Sequence, residues 1–461
     1  QKRFKKAQKN LPEHPIKPNN STQHPKRQLP LPLNSIIIRR KIHHHMNNTH
    51  PHSPEPWNGY SKGSREYIYM LIAMFCAGIA TFAQLYAPQA ILPSIATDLN
   101  ITPSSAALTI SAATLGLALF AMVWAYIADI HGKSKAMFIA ISIATVLGLI
   151  SPWVHDFTIL LTLRFAEGAA LAGIAGVAIA FITEETNPLH AATASGLYIA
   201  GNTLGGLAGR LFAGPLTQWT GDWRIAITAV SLLGAITALI FIISLPKARR
   251  FTPIPRKGSF SNTLKQAKKH LKNPAMLALY LYAFTMMGTF VTIYNYVGFL
   301  LKAPPYLFSE IALSALFLSY LLGTISSSIS ARFSTRWGNL NVMIGSTALL
   351  ILGIALTMTT NVTAIIIGVL LLTFGFFCGH SIASGWTGLR ATTGKAQATA
   401  LYNLAYYAGS AVIGWGSGLI YNTSGWYSTA WFCIIFTALL VSLCVMVLTR
   451  NDKPHNDAPV A

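Results

Sequence analysis

The fold is decided by residues 105–153, which read SAALTISAATLGLALFAMVWAYIA (105–128), DIHGKS (129–134) and KAMFIAISIATVLGLISPW (135–153). Two long apolar runs flank one short polar turn, and apart from Lys135 at one edge neither run contains a charged residue. A helix needs about 20 apolar residues to cross a lipid bilayer. The stretch therefore predicts two antiparallel membrane helices joined by a turn.

The same pattern of long apolar run and short polar turn continues on both sides of this pair. It predicts an all-α integral membrane protein with twelve transmembrane helices, called spans 1 to 12. The predicted spans cover residues 67–93, 105–128, 135–153, 157–182, 192–216, 223–245, 274–301, 309–331, 341–360, 363–386, 396–420 and 427–449.

The composition excludes a soluble protein and argues against a nucleic-acid partner. Hydrophobic residues make up 52% of the chain and charged residues 10%, against roughly 25% charged in an ordinary soluble protein. The net charge is +21, but 13 of the 34 Lys and Arg residues precede residue 66 and nine more lie between Lys247 and Lys272. Most of this charge lies in a tail and one linker outside the spans, and we expect the linker to lie on anionic lipid headgroups.

Five segments follow from the pattern of spans and charge. The first is rich in Lys, Pro, Asn, Gln and His and lacks apolar periodicity, which predicts disorder, and its Met46 is a candidate start of translation. The excess of basic residues in alternate loops places both termini in the cytoplasm. The segments are a disordered basic tail (1–62), an N-terminal six-helix bundle (63–245), a cytoplasmic basic linker (246–273), a C-terminal six-helix bundle (274–449) and a cytoplasmic C-terminal tail (450–461).

The two bundles carry related sequence features. A glycine-rich stretch precedes a tryptophan in each, with 18 residues from Gly205 to Trp223 and 17 from Gly409 to Trp426. Many secondary transporters are built from a repeated six-helix unit with a polar binding site between the two copies. The repeat therefore predicts two pseudo-symmetric bundles around a shared centre.

The turn after span 2, AYIADIHGKSK (125–135), carries a recognisable motif. It resembles the loop between helices two and three of the major facilitator superfamily, whose pattern is Gly, three residues, Asp, a basic residue, any residue, Gly and a basic residue. Asp129, Gly132 and Lys133 match the pattern, whereas Ala125 and Ile130 depart from it. The resemblance implies the twelve-helix fold of that superfamily and a cytoplasmic gate at this turn.

The equivalent turn of the second bundle supplies the rest of the expected gate. It keeps Arg336 and Gly338 but has Thr335 where the Asp would be. A carboxylate beside lysines at a helix end can join two halves through a charge-assisted hydrogen bond. The alternative is that both turns are ordinary solvated turns.

Span 4 contains the stretch LRFAEG (163–168), in which Arg164 and Glu167 share one helix face. Charged groups within lipid are costly and normally face a cavity or a partner. The stretch resembles the superfamily's Arg-x-x-Gln-Gly motif, with Glu167 at the Gln position. Arg210 of span 5 should lie at the same depth, so we expect Glu167 between two arginines. Either its protonation is linked to opening and closing, or it is a permanent ion-pair partner.

Span 5 contains the stretch GNTLGGLAGR (201–210), a glycine-rich face that allows two helices to approach closely. This stretch resembles the motif associated with antiporters in the superfamily, although the usual Gly-Pro pair is absent. The resemblance favours export. The glycines of this motif are Gly201, Gly205, Gly206 and Gly209.

Polar and aromatic residues on spans 1, 7 and 11 predict a cavity for a modest-sized, partly aromatic or amphiphilic solute. The alternative is that they join helices through interhelical hydrogen bonds. These stretches resemble the arabinose-efflux-permease-like branch of the superfamily, the acriflavine-sensitivity type of exporter. His380 on span 10 is interpreted as a packed, hydrogen-bonded residue. The candidate cavity residues are Gln84, Tyr86, Gln89, Tyr294, Asn295, Tyr402, Asn403 and Tyr406.

These features together predict a secondary active transporter that moves a small organic solute across the bacterial inner membrane by proton-coupled efflux (antiport) of a drug, sugar or metabolite. The alternatives are proton-coupled uptake (symport) and, from another class, a non-transporting receptor or scaffold. An enzyme would need a nucleophile and base or a metal set within the spans, and none is evident. We expect no cofactor, no metal and a functional monomer whose partners are solute, protons and lipid.

Overall fold

A computed structural model describes residues 57–251 and 259–451 of the chain. The described residues are helical almost throughout, with one isolated β-bridge between Tyr60 and Thr186. The predicted tail up to residue 56, including Met46, lies outside the described residues. So do linker residues 252–258 and the C-terminal residues 452–461.

The described part of the chain contains twelve helical spans, which confirms the predicted all-α membrane fold. Their bounds differ from the predicted ones by six residues at most. Spans 11 and 12 are two helices that meet at Gly425, whose φ of 72° is not helical. The spans are Arg65–Asp98, Pro103–His131, Lys133–Trp153, Phe157–Glu185, Pro188–Thr220, Trp223–Ser244, Pro274–Lys302, Glu310–Trp337, Asn339–Leu356, Val362–Arg390 and, within Lys395–Asn451, residues 395–424 and 425–451.

Span 1 is not a continuous α-helix. An α-helix over Arg65–Tyr86 passes into a 3-10 helix over Ala87–Ile91 and then into an α-helix over Leu92–Asp98. The break follows from Pro88, which has no N–H to donate to the carbonyl four residues earlier, that of Gln84. A carbonyl released in this way inside a membrane must be bonded by another part of the protein.

Glycine contacts hold equivalent helices together in the two halves. A side-chain carbon on Gly205 of span 5 would lie 2.6 Å from the Cα of Ile79 in span 1. A carbon on Gly409 of span 11 would lie 2.1 Å from the carbonyl oxygen of Phe284 in span 7. Span 5 thus packs on span 1 as span 11 packs on span 7, and the sequence repeat corresponds to a repeat of helix packing.

The bundle has two ends, the linker end, where residues 245–273 connect spans 6 and 7, and the opposite end. At the opposite end the two halves are hydrogen-bonded to each other. Asn422 of span 11 donates to Ser104 Oγ of span 2 at 2.5 Å, and the Ile311 N–H of span 8 donates to Gln218 Oε1 of span 5 at 3.1 Å. The halves are therefore in direct contact at that end.

The linker contacts both halves. Glu185, which is fully buried at the end of span 4, accepts hydrogen bonds from the backbone N–H groups of Arg249 and Arg250, both at 2.9 Å. Beyond the undescribed residues, a linker helix over Ser259–Leu271 lies near the start of span 11, where His270 bonds to the carbonyl of Gly394 at 3.1 Å. The linker was expected to lie on lipid headgroups, but these parts of it contact protein.

The last residues of the predicted tail also pack against the bundle. Tyr60 is 5% exposed, and its hydroxyl donates to the carbonyl of Lys247 at 2.7 Å. Its N–H donates to the carbonyl of Glu185 at 2.8 Å. Burial raises the pKa of the Tyr60 phenol. The expectation of disorder up to residue 62 is therefore wrong for residues 58–62, because one aromatic residue anchors them.

Candidate functional site

A cavity of about 240 Å³ lies between the two halves near the middle of the bundle. Spans 1 and 5 form one wall, and spans 7, 8, 10 and 11 form the other. The wall is mainly aromatic, with one arginine and a few neutral polar groups. Its residues are Phe82, Tyr86, Ile199, Asn202, Thr203, Gly206, Arg210, Met287, Phe290, Val291, Tyr320, Phe376, Phe377, His380, Tyr406 and Tyr407.

Arg210 is the charged residue of this wall. Its Nε and Nη2 atoms donate to Gln89 Oε1 at 3.0 and 2.7 Å, and Nη1 donates to the carbonyl of Gly206 at 2.7 Å. The side chain is 3% exposed, and the rings of Tyr86 and Tyr320 lie 4.5 and 4.8 Å from its guanidinium carbon. Cation–π contacts of this kind are attractive but add no negative charge.

Arg164 holds the broken part of span 1. Its Nη2 donates to the carbonyl of Leu85 at 2.8 Å, and its Nη1 donates to the carbonyl of Gln84 at 3.3 Å. Nη1 also binds Glu167 Oε2 at 2.7 Å, and Nε donates to the carbonyl of Thr109 in span 2 at 3.1 Å. One guanidinium thus bonds the carbonyl that Pro88 releases and carries the ion pair with Glu167.

The expected cluster of three charges is not present. Glu167 is 1% exposed and pairs with Arg164, but Arg210 binds Gln89 instead. The placement of Glu167 between two arginines is therefore wrong. The depth of a residue in the membrane, estimated from the sequence, could not reveal that Arg210 bonds to Gln89 rather than to Glu167. Gln89 lies in the 3-10 segment where span 1 is broken.

Gln84 lies beside the ion pair and does not line the cavity. Its Nε2 donates to the carbonyl of Ala80 at 2.8 Å, and its Oε1 has no hydrogen-bond partner among the described residues. A side-chain carbon on Gly148 would lie 2.4 Å from that Oε1 and 3.2 Å from Glu167 Oε1. The two oxygens therefore face the same small space inside the N-terminal half.

Two other predicted cavity residues join the halves. Gln89 Nε2 of span 1 donates to Asn295 Oδ1 of span 7 at 2.8 Å. Because Gln89 also accepts from Arg210, the contact links spans 1, 5 and 7. Both amides are almost fully buried, so their placement matches the alternative of interhelical bonding rather than a free cavity wall.

The remaining predicted cavity residues have different positions. Tyr86 and Tyr406 lie in the cavity wall. The Tyr294 hydroxyl bonds to the hydroxyls of Ser319 and Thr373 behind the wall. Tyr402 is buried with its hydroxyl 3.0 Å from His380 Nδ1, and Asn403 is exposed one turn nearer the linker end than Tyr406. Asn403 therefore does not line the cavity.

The predicted gate residues lie at the linker end. Lys133 Nζ is 2.8 Å from Glu184 and 3.8 Å from Asp129, so it links the ends of spans 2 and 4 within the N-terminal half. Gly132 has a φ of 100°, which lets the chain turn sharply before span 3. Glu184 was not among the predicted gate residues, although the Glu184-Glu185 pair at the end of an otherwise apolar span is a signal for it.

The matching turn of the C-terminal half has no such ion pair among the described residues. Gly338 has a φ of 80°, like Gly132, and begins span 9 in the same way. The guanidinium of Arg336 lies 5.6 Å from the Trp337 ring, and Thr335 donates to the carbonyl of Arg332 at 2.9 Å. The absence of a carboxylate at Thr335 explains the difference between the two turns.

Comparison with known proteins agrees with this architecture. The Major Facilitator Superfamily model matches residues 70–413. An uncharacterized MFS-type transporter of Bacillus subtilis (strain 168), YybF, is 35% identical over 393 residues, which are 85% of this chain and 96% of the relative. The inner membrane transport protein YnfM of Escherichia coli (strain K12) is 34% identical over 401 residues, 87% of this chain and 94% of the relative.

Solved structures share the fold at low sequence identity. The crystal structure of a mutant of the nucleoside transporter NupG matches with a TM-score of 0.69 and 14% identity, and it covers 82% of this chain and 99% of that chain. Likeness at this identity concerns the fold alone. The family model and the two relatives identify the chain as a member of the major facilitator superfamily and thus as a membrane transporter of small solutes.

Proposed function

We propose that the protein is a proton-coupled exporter of a small organic solute in a bacterial cytoplasmic membrane. The observation that carries this proposal is the buried Glu167–Arg164 pair, bonded to the broken stretch of span 1. Carboxylates within membrane spans are costly and commonly mark proton pathways. Export rather than uptake is favoured by the resemblance of the span 5 glycines to the antiporter motif.

The contacts of this pair suggest how a proton would affect the cavity. Protonation of Glu167 removes the negative charge that neutralises Arg164, and the new O–H has a candidate acceptor in Gln84 Oε1. Arg164 holds the carbonyls of Gln84 and Leu85, which directly precede Tyr86 in the cavity wall. A proton at Glu167 therefore changes the bonding of the guanidinium that fixes the span 1 break, and we propose that this change is transmitted to Tyr86.

The halves are proposed to rock about the cavity and expose it to each side in turn. In the inside-closed state the turns at Lys133 and Arg336 would approach each other, with the Asp129–Lys133–Glu184 group on one of the two surfaces. Opening to the other side would require the contacts at the opposite end, such as Ser104 to Asn422, to separate.

We assign the linker end to the cytoplasm, because basic residues concentrate in cytoplasmic loops. Lys133, Arg336, Arg390 and the lysines of the linker helix lie at this end. In intact cells a membrane-impermeant maleimide should label a cysteine at exposed Thr220 and should label one at exposed Leu189 only after permeabilisation. Labelling of Leu189→Cys in intact cells would reverse the assignment.

Coupling is tested in proteoliposomes that carry an imposed pH gradient. A panel of anionic, neutral and cationic small solutes is added, and a transported solute dissipates the gradient in wild-type vesicles. We expect Glu167→Gln to abolish this dissipation, because a glutamine cannot carry a proton, while solute movement down its own gradient persists. The control is Glu66→Gln, which removes an exposed carboxylate from the first turn of span 1. Unchanged coupling in Glu167→Gln would refute the role of Glu167.

A further inference from the structure

The two fully buried arginines of the described chain have different partners. Arg164 and Arg210 are each 3% exposed. Arg164 has a carboxylate, Glu167, at 2.7 Å. The four hydrogen bonds of Arg210 all go to neutral acceptors, namely one amide oxygen that accepts twice, one backbone carbonyl and the Tyr320 hydroxyl at 3.5 Å.

No carboxylate of the described residues therefore pairs with the charge of Arg210. Burial of a charge without a counter-ion is costly even when hydrogen bonds are made. The rings of Tyr86, Phe317 and Tyr320 at 4.5 to 4.8 Å reduce that cost without removing the charge. Four bonds also leave one of the five guanidinium N–H donors without a partner in the described chain, and it belongs to Nη1 beside Gly206 in the cavity wall.

The cavity beside Arg210 has the chemistry of a site for an anion with a flat apolar body. Among its described lining residues none carries a carboxylate, so nothing in the wall competes for the guanidinium. Aromatic rings form most of the rest, including Phe290 and Phe376, which stack with centroids 4.0 Å apart. A volume of about 240 Å³ is slightly below the usual range of ligand pockets, which limits the solute to a small one.

We infer that the cavity binds a small organic carboxylate with an aromatic or similarly flat apolar body, and that Arg210 is the residue that binds its carboxylate. The inference rests on the proposed function, since it names the substrate class for the same cavity. The carboxylate supplies the counter-charge that Arg210 lacks. The rings of the wall then pack against the body of the solute.

The test measures thermal stabilisation of the purified full-length protein by matched probes. Benzoate, phenylacetate and 2-naphthoate are compared with the corresponding neutral amides and cationic amines, and with chloride and phosphate. A bound ligand raises the unfolding midpoint by mass action, and we expect at least one carboxylate to raise it by about 2 °C or more. Its amide and amine counterparts and the inorganic anions should have no effect.

Variants then assign the effect to Arg210. Arg210→Gln should remove the stabilisation by carboxylate, and Arg210→Lys should retain part of it, because charge without the planar fork binds a carboxylate less well. Arg65→Gln, which removes an exposed charge at the start of span 1, should leave it unchanged. If Arg210→Gln does not fold, the Arg210→Lys variant is measured instead. A reduced carboxylate effect in that variant supports the inference, and an unchanged effect overturns it.

Several outcomes would overturn the inference. These are equal stabilisation by amides or amines, stabilisation by inorganic anions alone, no effect of any carboxylate, or a carboxylate effect that is unchanged in Arg210→Gln and Arg210→Lys. Failure of the proposed function is separate. Carboxylate binding without any pH-coupled flux would refute proton coupling and leave this inference standing, whereas coupled flux of neutral solutes alone would do the reverse.

Discussion

Glu167 and Arg164 form a buried pair in which each side chain neutralises the other. We expect Arg164→Met to lower the stability of the folded protein by about 3–5 kcal/mol, because it leaves a buried carboxylate without a counter-charge. The double variant with Glu167→Leu should recover part of this loss, since both charges are then absent. Thermal unfolding in detergent measures both. A double variant that is no more stable than Arg164→Met would show that the pair does not act as a unit.

At the residue scale, contacts between residues close in the sequence could be predicted, and contacts between residues distant in the sequence could not. Arg164 and Glu167 are three residues apart in one helix, so their pairing followed from helix geometry. Arg210 and its partner Gln89 are 121 residues apart. Their contact depends on the break in span 1, whose signal in the sequence is Pro88 within an otherwise apolar helix.

At the element scale, the glycines distinguish close helix contacts from open surfaces. A side-chain carbon on Gly409 would lie 2.1 Å from the carbonyl oxygen of Phe284, whereas one on Gly416 in the same span would meet nothing within 4 Å. We expect Gly409→Ala to cost about 1–3 kcal/mol of stability through overpacking. Gly416→Ala should be neutral or slightly stabilising, because alanine favours helix. Equal unfolding midpoints for the two variants would contradict this packing.

The elements themselves were largely predictable because length and hydropathy determine which segments can cross a bilayer. The bounds were less certain where polar residues extend a helix beyond the membrane, as at 332–337 of span 8. Anchoring of the tail by Tyr60 and of the linker by Glu185 was not predictable. A single buried aromatic or carboxylate in a polar segment has no periodicity that would reveal it.

At the scale of the whole molecule, a disulfide between the two halves at the opposite end should prevent them from separating there. In a background without the four native cysteines, the pair Ser104→Cys and Asn422→Cys should crosslink under mild oxidation, because these side chains are in contact. We expect crosslinking to stop solute flux and a reductant to restore it. The two single-cysteine variants serve as controls. Full flux through the crosslinked protein would show that the halves need not separate there.

The sequence repeat predicted two related bundles around a shared centre. It did not predict at which end of the molecule the two bundles are in contact. A protein that alternates between two states encodes the contacts of both, so the sequence pattern alone does not show which end is closed in one structure. The contacts from Ser104 to Asn422 and from Gln218 to Ile311 belong to the state described by this structure.

Rocking of the two halves is tested most directly by measuring distances between pairs of spin labels, one label on each half, in lipid bilayers. One pair is placed at Leu189 and Leu389, which are 84% and 76% exposed at the linker end. The other is placed at exposed Thr220 and Ser424 at the opposite end. Between pH values that protonate and deprotonate Glu167, the two distances should change in opposite directions, and Glu167→Gln should abolish the response. Distances that stay fixed, or that lengthen and shorten together, would contradict a transporter whose halves rock about the central cavity.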